Sequence, residues 1–270
     1  GVISKSDVAA AGDINVVGNG KIFGLRYIHP LPAVDTYSHS LTLGVDYKDF
    51  KESTELQGAD SFNTPIAYTP FYMGYDATLL GAERTTQMTL GVTFSVRGLG
   101  NDEQEFADKR FLAKPNFAYL RADLKHTEKF AGWELTGNLN GQIASQPLIA
   151  NEQFFIGGVD SVRGYLEANA LGDNGLSGGL ELRTPSLAKY FGEQITDFRI
   201  LAFYDAGRVG ILEALPGQTE SFTLKSAGLG LRVKTLRGVS ANLDYALAMR
   251  DAPPVERGDD LLHFRIAYDW

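Results

Sequence analysis

QMTLGVTFSV, residues 87–96, alternates without a break. Its even positions, Met88, Leu90, Val92, Phe94 and Val96, are all apolar, and its odd positions, Gln87, Thr89, Gly91, Thr93 and Ser95, are small or polar. A period of two over ten residues describes a strand with one apolar and one polar face. The pattern recurs along the chain. Trp133, Leu135, Leu139 and Ile143 alternate with Glu134, Thr136, Asn138, Asn140 and Gln142. Ala118, Leu120, Ala122 and Leu124 alternate with Tyr119, Arg121, Asp123 and Lys125, and Val239, Ala241, Leu243, Tyr245 and Leu247 with Ser240, Asn242 and Asp244.

A soluble sandwich would also alternate, with its apolar faces turned inward. Two features weigh against it. These segments run about ten residues or longer, whereas soluble strands average about five or six. Their polar faces are charged and their apolar faces end in aromatic rings. Strands of about ten residues with an apolar band and aromatic ends describe a transmembrane β-barrel. The reading is therefore all-β, an antiparallel transmembrane β-barrel domain over residues 1–270. No stretch of about 18 apolar residues provides a membrane-spanning helix.

About eleven strands are expected, near 13–29, 37–50, 66–80, 84–97, 113–127, 131–145, 175–184, 196–210, 222–234, 238–249 and 260–270. Short connections at Pro30–Asp35, Gly81–Glu83, Lys129–Ala131 and Arg237–Gly238 alternate with long polar ones at 51–64, 98–112, 146–174, 211–221 and 250–259. Short periplasmic turns and long external loops produce that rhythm. Ser186–Gln194 is the one longer turn on the short side. The rhythm puts the C-terminus on the periplasmic side. Single-chain bacterial barrels have even strand numbers, and Gly1–Gly12 reads as too short and polar for another strand. The expectation is a chain lacking its natural N-terminal part. The last segment carries Phe264, Ile266, Tyr268 and Trp270 on one parity and His263, Arg265 and Asp269 on the other. A closing strand that ends on an aromatic residue suits a signal read by the barrel assembly machinery.

Composition excludes several classes of function. A net charge of −8 lacks the basic surface that nucleic-acid binding needs. No cysteine is present, so disulfides and thiol chemistry are excluded. His29, His39, His126 and His263 are scattered without ligand spacing, so no metal or other cofactor is expected, and no segment suggests a hydrolase triad or any other enzyme. Asp173-Asn174-Gly175 reads as a turn. Gly228 and Gly230 share the inward parity and permit curvature. Arg121, Lys125, Arg232 and Lys234, with Asp123, Asp244 and Asp269, are expected to line a wet interior.

The longest external connection, 146–174, contains Gly157-Gly158-Val159-Asp160-Ser161-Val162-Arg163-Gly164-Tyr165. The strands after it carry Gly179-Leu180-Glu181 and Phe203-Tyr204-Asp205-Ala206-Gly207. Leu180 and Leu182 face outward, so Glu181 and Arg183 face inward, as do Phe203, Asp205 and Gly207. A guanidinium descending from the loop can meet Glu181, Asp205 or both with its planar fork. Gly164 permits a tight reversal beside Arg163, and Gly207 clears wall space for the loop tip.

In that order the three motifs resemble those of the POTRA-and-barrel outer-membrane transporters, most closely the two-partner secretion translocators of the haemolysin-activator type. Gln142, Leu148 and Glu152–Phe155 fit the approach to the same loop. The likeness is best over 130–270 and looser before it. It implies the C-terminal part of a sixteen-stranded barrel in the bacterial outer membrane, with five strands after the loop. It also implies a loop, 146–174, that folds into the lumen and braces or gates it through Val162, Arg163, Gly164 and Tyr165, with Glu181, Phe203, Asp205 and Gly207 as lumen partners. The implied activity is export of an unfolded exoprotein recognised by periplasmic POTRA domains, without nucleotide, in contact with outer-membrane lipid. The alternative within the superfamily is an assembly factor of the BamA or TamA type that inserts other barrels.

Overall fold

The computed structural model describes residues 2–9, 14–56, 62–63, 65–100 and 102–268. Among them the strands are β1 (Val2–Ala9), β2 (Ile14–Pro30), β3 (Tyr37–Leu56), β4 (Phe62–Asn63), β5 (Ile66–Leu80), β6 (Arg84–Gly100), β7 (Ala118–Phe130) and β8 (Trp133–Ala144). They continue as β9 (Phe154–Ile156), β10 (Ala170–Gly172), β11 (Asn174–Arg183), β12 (Ile195–Gly210), β13 (Ser221–Thr235), β14 (Val239–Ala248) and β15 (Asp260–Tyr268). One short helix, α1 (Glu103–Lys109), lies in the connection between β6 and β7.

A thirteen-stranded antiparallel sheet runs β1-β2-β3-β5-β6-β7-β8-β11-β12-β13-β14-β15, with β4 beside β3. Apart from β4, beside β3, and the β9–β10 pair inside the long connection, each strand pairs with the next along the chain. The described strands form an open row whose ends are β1 and β15. β9 and β10 pair only with each other, inside the long connection. No described helix is long and apolar enough to cross a membrane.

Alternation sets the two faces. Trp133, Leu135, Leu139, Ile143, Leu180, Tyr204, Tyr245, Phe264, Ile266 and Tyr268 are exposed on one side. Phe94 shares that side but is half-buried, because it stacks on its cross-strand partner Phe71 at 5.5 Å. The other face holds Asp205, Asp244, Ser177 and Ser226, all buried. A sandwich would place the apolar set in a dry core; here it is the outer surface and the polar set is covered.

Two expectations need correction. Val2–Ala9, within a segment read as too short and polar, pairs with β2 from Val2↔Ile22 to Ala9↔Asn15. Both of its parities mix apolar and polar residues, so no period-two signal marks it. The strand expected from 113 begins at Ala118, and Ala113 and Phe117 instead pack under α1 with Phe106. Pro115 lies in this stretch and has no N–H to give a ladder. Helix α1 lies within the polar connection expected at 98–112, where Asp102-Glu103-Gln104-Glu105 spells a capping box: the Asp102 carboxylate accepts the Gln104 and Glu105 N–H groups, and Glu105 accepts the N–H of Asp102. Asp269 and Trp270 lie outside the described residues.

Candidate functional site: the loop on the inner wall

Register assembles the acidic wall before the loop arrives. Gly179 lies opposite Asp205, and Glu181 opposite Phe203. A side chain at Gly179 would collide with the Asp205 carboxylate, so the glycine leaves that carboxylate its room. Gly228, opposite Phe203, does the same for the phenyl ring, and Gly230, opposite Asp244, for that carboxylate. The inward parity expected for Gly228 and Gly230 therefore has a steric use: both make space for large neighbours.

Arg163 descends onto this wall from the 146–174 connection. Its Nε donates to Asp205 Oδ2 at 2.7 Å, one terminal nitrogen to Asp205 Oδ1 at 3.0 Å, and the other to Glu181 Oε2 at 2.8 Å. Its backbone N–H also reaches Asp205 Oδ2, at 3.2 Å. The guanidinium lies 3.5 Å from the centroid of the Phe203 ring, a cation–π contact with the same wall. Asp244 stands 3.7 Å away and is held by Arg232. Arg183 bonds Glu181 Oε1 at 2.6 Å and Glu134 at 3.0 Å. Burial works against the charge of Arg163, but the hydrogen bonds it donates to Asp205 and Glu181, with their negative charges, outweigh it and hold its pKa above the ordinary arginine value.

The motif's other residues fix the tip. Gly164 has φ +86°, a left-handed conformation that glycine adopts freely. Its N–H donates to Nε2 of His263 at 3.1 Å, on β15. Tyr165 is fully buried, with its hydroxyl 2.9 Å from the carbonyls of Lys225 and Arg250 and accepting the Arg250 N–H at 3.1 Å. Val162 is buried with Ile156 against Val209 and Leu224. A Cβ at Gly207 would approach Ile156 Cγ2 to 3.1 Å and Val162 Cγ2 to 3.2 Å, so the wall is hollowed where the loop tip presses.

Two carboxylates at the root of the connection, Glu152 in the approach to the loop and Asp173 in the expected turn, are buried, which the sequence does not show. Asn174 and Gly175 open β11 rather than a turn, and Asp173, at the bend before them, is fully buried. It accepts both arms of the Arg110 fork, the Leu148 N–H at 2.8 Å and the Leu212 N–H at 2.7 Å. Glu152 accepts Lys48, Tyr68 and Tyr119. Gln142 ties the two roots, donating to the carbonyls of Glu152 at 3.2 Å and Asp173 at 3.0 Å. The DNG string hid Asp173, because turn chemistry and a buried acceptor use the same residue types. Below the tip a polar cavity of about 760 Å³, lined by Arg163, Glu181, Arg232, Asp244 and His263 among others, keeps the charges near open space.

Phe264, Ile266 and Tyr268 lie on the outer face of β15, away from this site. His263, on the opposite parity, is the member of that strand the loop touches. Asp244 and His263 are register partners, so their joint arrival at the tip follows from strand pairing.

An antiparallel wall with an apolar outside and a charged, covered inside has the build of an outer-membrane β-barrel. A family model described as haemolysin secretion/activation protein ShlB/FhaC/HecB matches residues 35–233, and the chain belongs to that family. The match includes all three motifs; it starts well before residue 130 and stops short of β14 and β15. The family is one of bacterial outer-membrane secretion proteins and not an enzyme class. Among solved structures, CdiB from Escherichia coli superposes with a TM-score of 0.79 at 18% identity, covering 98% of this chain and 48% of that one. BamA from Haemophilus ducreyi, lacking POTRA domains 1–3, superposes with a TM-score of 0.63 at 13% identity, covering 98% of this chain and 57% of that one. Identities this low speak for the fold alone. The chain spans about half the length of these two structures. No curated protein matches it in sequence.

Proposed function

We propose that this chain is the barrel portion of a two-partner secretion transporter. An unfolded exoprotein, recognised on the periplasmic side by POTRA domains of the whole protein, passes outward through the lumen. Folding outside the cell draws it through without nucleotide. The apolar outer face meets outer-membrane lipid, and the terminal aromatic strand is read by the barrel assembly machinery. The VRGY connection braces the lumen wall.

The observation that carries the reading is the seating of Arg163 on Asp205 and Glu181. A passive porin has no need of a loop arginine so deeply paired beside a glycine-hollowed wall. Family membership separates secretion from diffusion and favours export over barrel insertion.

The test is to produce the whole protein with a candidate exoprotein, in cells lacking other transporters of this kind, and assay the medium. Release of the exoprotein only when the transporter is present supports export. If release is unchanged while unrelated outer-membrane barrels are depleted on its loss, the insertase reading replaces it.

A further inference from the structure

The 146–174 connection bonds two different sets of wall strands. Its tip bonds strands β11, β12 and β15 through Arg163 and Gly164. Its root bonds a different part of the wall through Glu152. Lys48 on β3 donates to Oε1 at 2.5 Å, Tyr68 on β5 to the same oxygen at 2.5 Å, and Tyr119 on β7 to Oε2 at 2.8 Å. Glu152 is 2% exposed. A buried carboxylate is costly unless it is paired and its lone pairs are satisfied; here one cation and two hydroxyls from three strands do both. Tyr68 and Tyr119 belong to a buried cluster that also takes up Leu148 and Ile149 from the connection. The root is therefore held by charge and by apolar packing together.

We propose that Glu152 is a second anchor of the arginine-bearing connection, independent of the tip, making the connection a two-point strut between the N-terminal and C-terminal parts of the wall. The inference rests on the export reading for its consequence, but not for its geometry. Glu152 touches no member of the Arg163 cluster. With the root freed, the tip keeps its own bonds through Arg163 and Tyr165 and its packing through Ile156 and Val162, so either anchor can be lost without the other.

The chain has no cysteine, so introduced ones label cleanly. In the whole protein, spin-label pairs would join exposed Asp160→Cys at the tip, or exposed Ala150→Cys at the root, to outward-facing Leu120→Cys on β7. Distances would be read in membranes containing no exoprotein. Glu152→Gln should broaden the root distance and leave the tip distance narrow, whereas Arg163→Ala should broaden the tip distance and leave the root narrow. Export by Glu152→Gln should fall about tenfold, the size of losing one charge-assisted hydrogen bond. Should the lone substitution block insertion, Lys48→Met with Glu152→Gln removes the ion pair without stranding a charge, and it too should free the root. A narrow root in both of these variants, or a root that broadens in Arg163→Ala, would overturn the two-anchor arrangement. Because the distances are read without exoprotein, a failed export assay with the expected distances would count against the secretion reading and leave the strut standing.

Discussion

At the scale of single residues, Arg163 spends one planar group on two carboxylates. Nε and one terminal nitrogen take Asp205 side by side, and the remaining nitrogen takes Glu181. A lysine at 163 could satisfy one carboxylate as a point charge but could not reproduce that fork. We expect Arg163→Ala and Asp205→Ala each to lower export while the barrel still inserts, and Arg163→Lys to recover little. The double alanine variant should export no worse than the poorer single one, because both remove the same contact; additive defects at matched membrane levels would exclude a shared mechanism. Breaking one partner of a fully buried pair costs about 3–5 kcal/mol and of an exposed pair about 0–1. The polar cavity beside the cluster places this pair between those limits, so the loop should lose its seat before the wall unfolds. Arg163, Glu181 and Asp205 could be read in the sequence because strand parity alone aims both acids inward. Asp173 and Glu152 could not. Each is one acid in a long connection, and its burial depends on where that connection crosses Arg110, Lys48 and two tyrosines.

Elements were legible to the extent that one face was apolar and the other not. β6, β8 and β14 follow the alternation of their residues, and β11 to β15 supply the five strands expected after the loop. What the pattern could not give was the interior of the external connections, where packing on a neighbour replaces alternation. There Arg110, just beyond α1, forks onto Asp173 and also donates to the carbonyls of Leu148 and Leu212, joining three connections at one point. Asp173→Ala or Arg110→Ala should open the α1 connection to protease added outside whole cells, with the wall still intact and resistant; equal resistance to the parent would show that packing of Phe106 and Phe117 suffices. β15 offers a contrasting test. Phe264 and Ile266 are exposed on the outer face, while Arg265 between them points inward. A lysine on the lipid side of a barrel costs about 2–4 kcal/mol near the bilayer midplane. Phe264→Lys or Ile266→Lys should therefore reduce the folded, heat-modifiable form in membranes, whereas Arg265→Gln should not.

At the scale of the molecule, the wall is a row of hairpins and the 146–174 connection is the feature that ties distant parts of that row together. Whether it stays seated during export follows from what its release would cost. Ile156 and Val162 are fully buried, each worth about 1.5–3 kcal/mol, and each charge-assisted hydrogen bond of Arg163 adds about 1.5–3. Release thus costs roughly 5 kcal/mol or more, leaving fewer than about one molecule in a thousand with the tip free. A step that rare is a poor one to repeat at every export event, and a brace needs no such step. A covalent lock separates the two roles. A Cβ at Gly207 would lie 3.2 Å from Val162 Cγ2, a reach that suits a disulfide between Val162→Cys and Gly207→Cys, and no native cysteine competes. Neighbouring Ile156 must give by a few tenths of an ångström to admit the new side chain, so each single-cysteine variant serves as the control for crowding. We expect the oxidised double variant to form the bridge in membranes and to export at a rate within about twofold of its reduced form. Export that stops on oxidation and resumes on reduction, with both single variants unaffected, would show instead that the tip must leave the wall and that the loop is a gate.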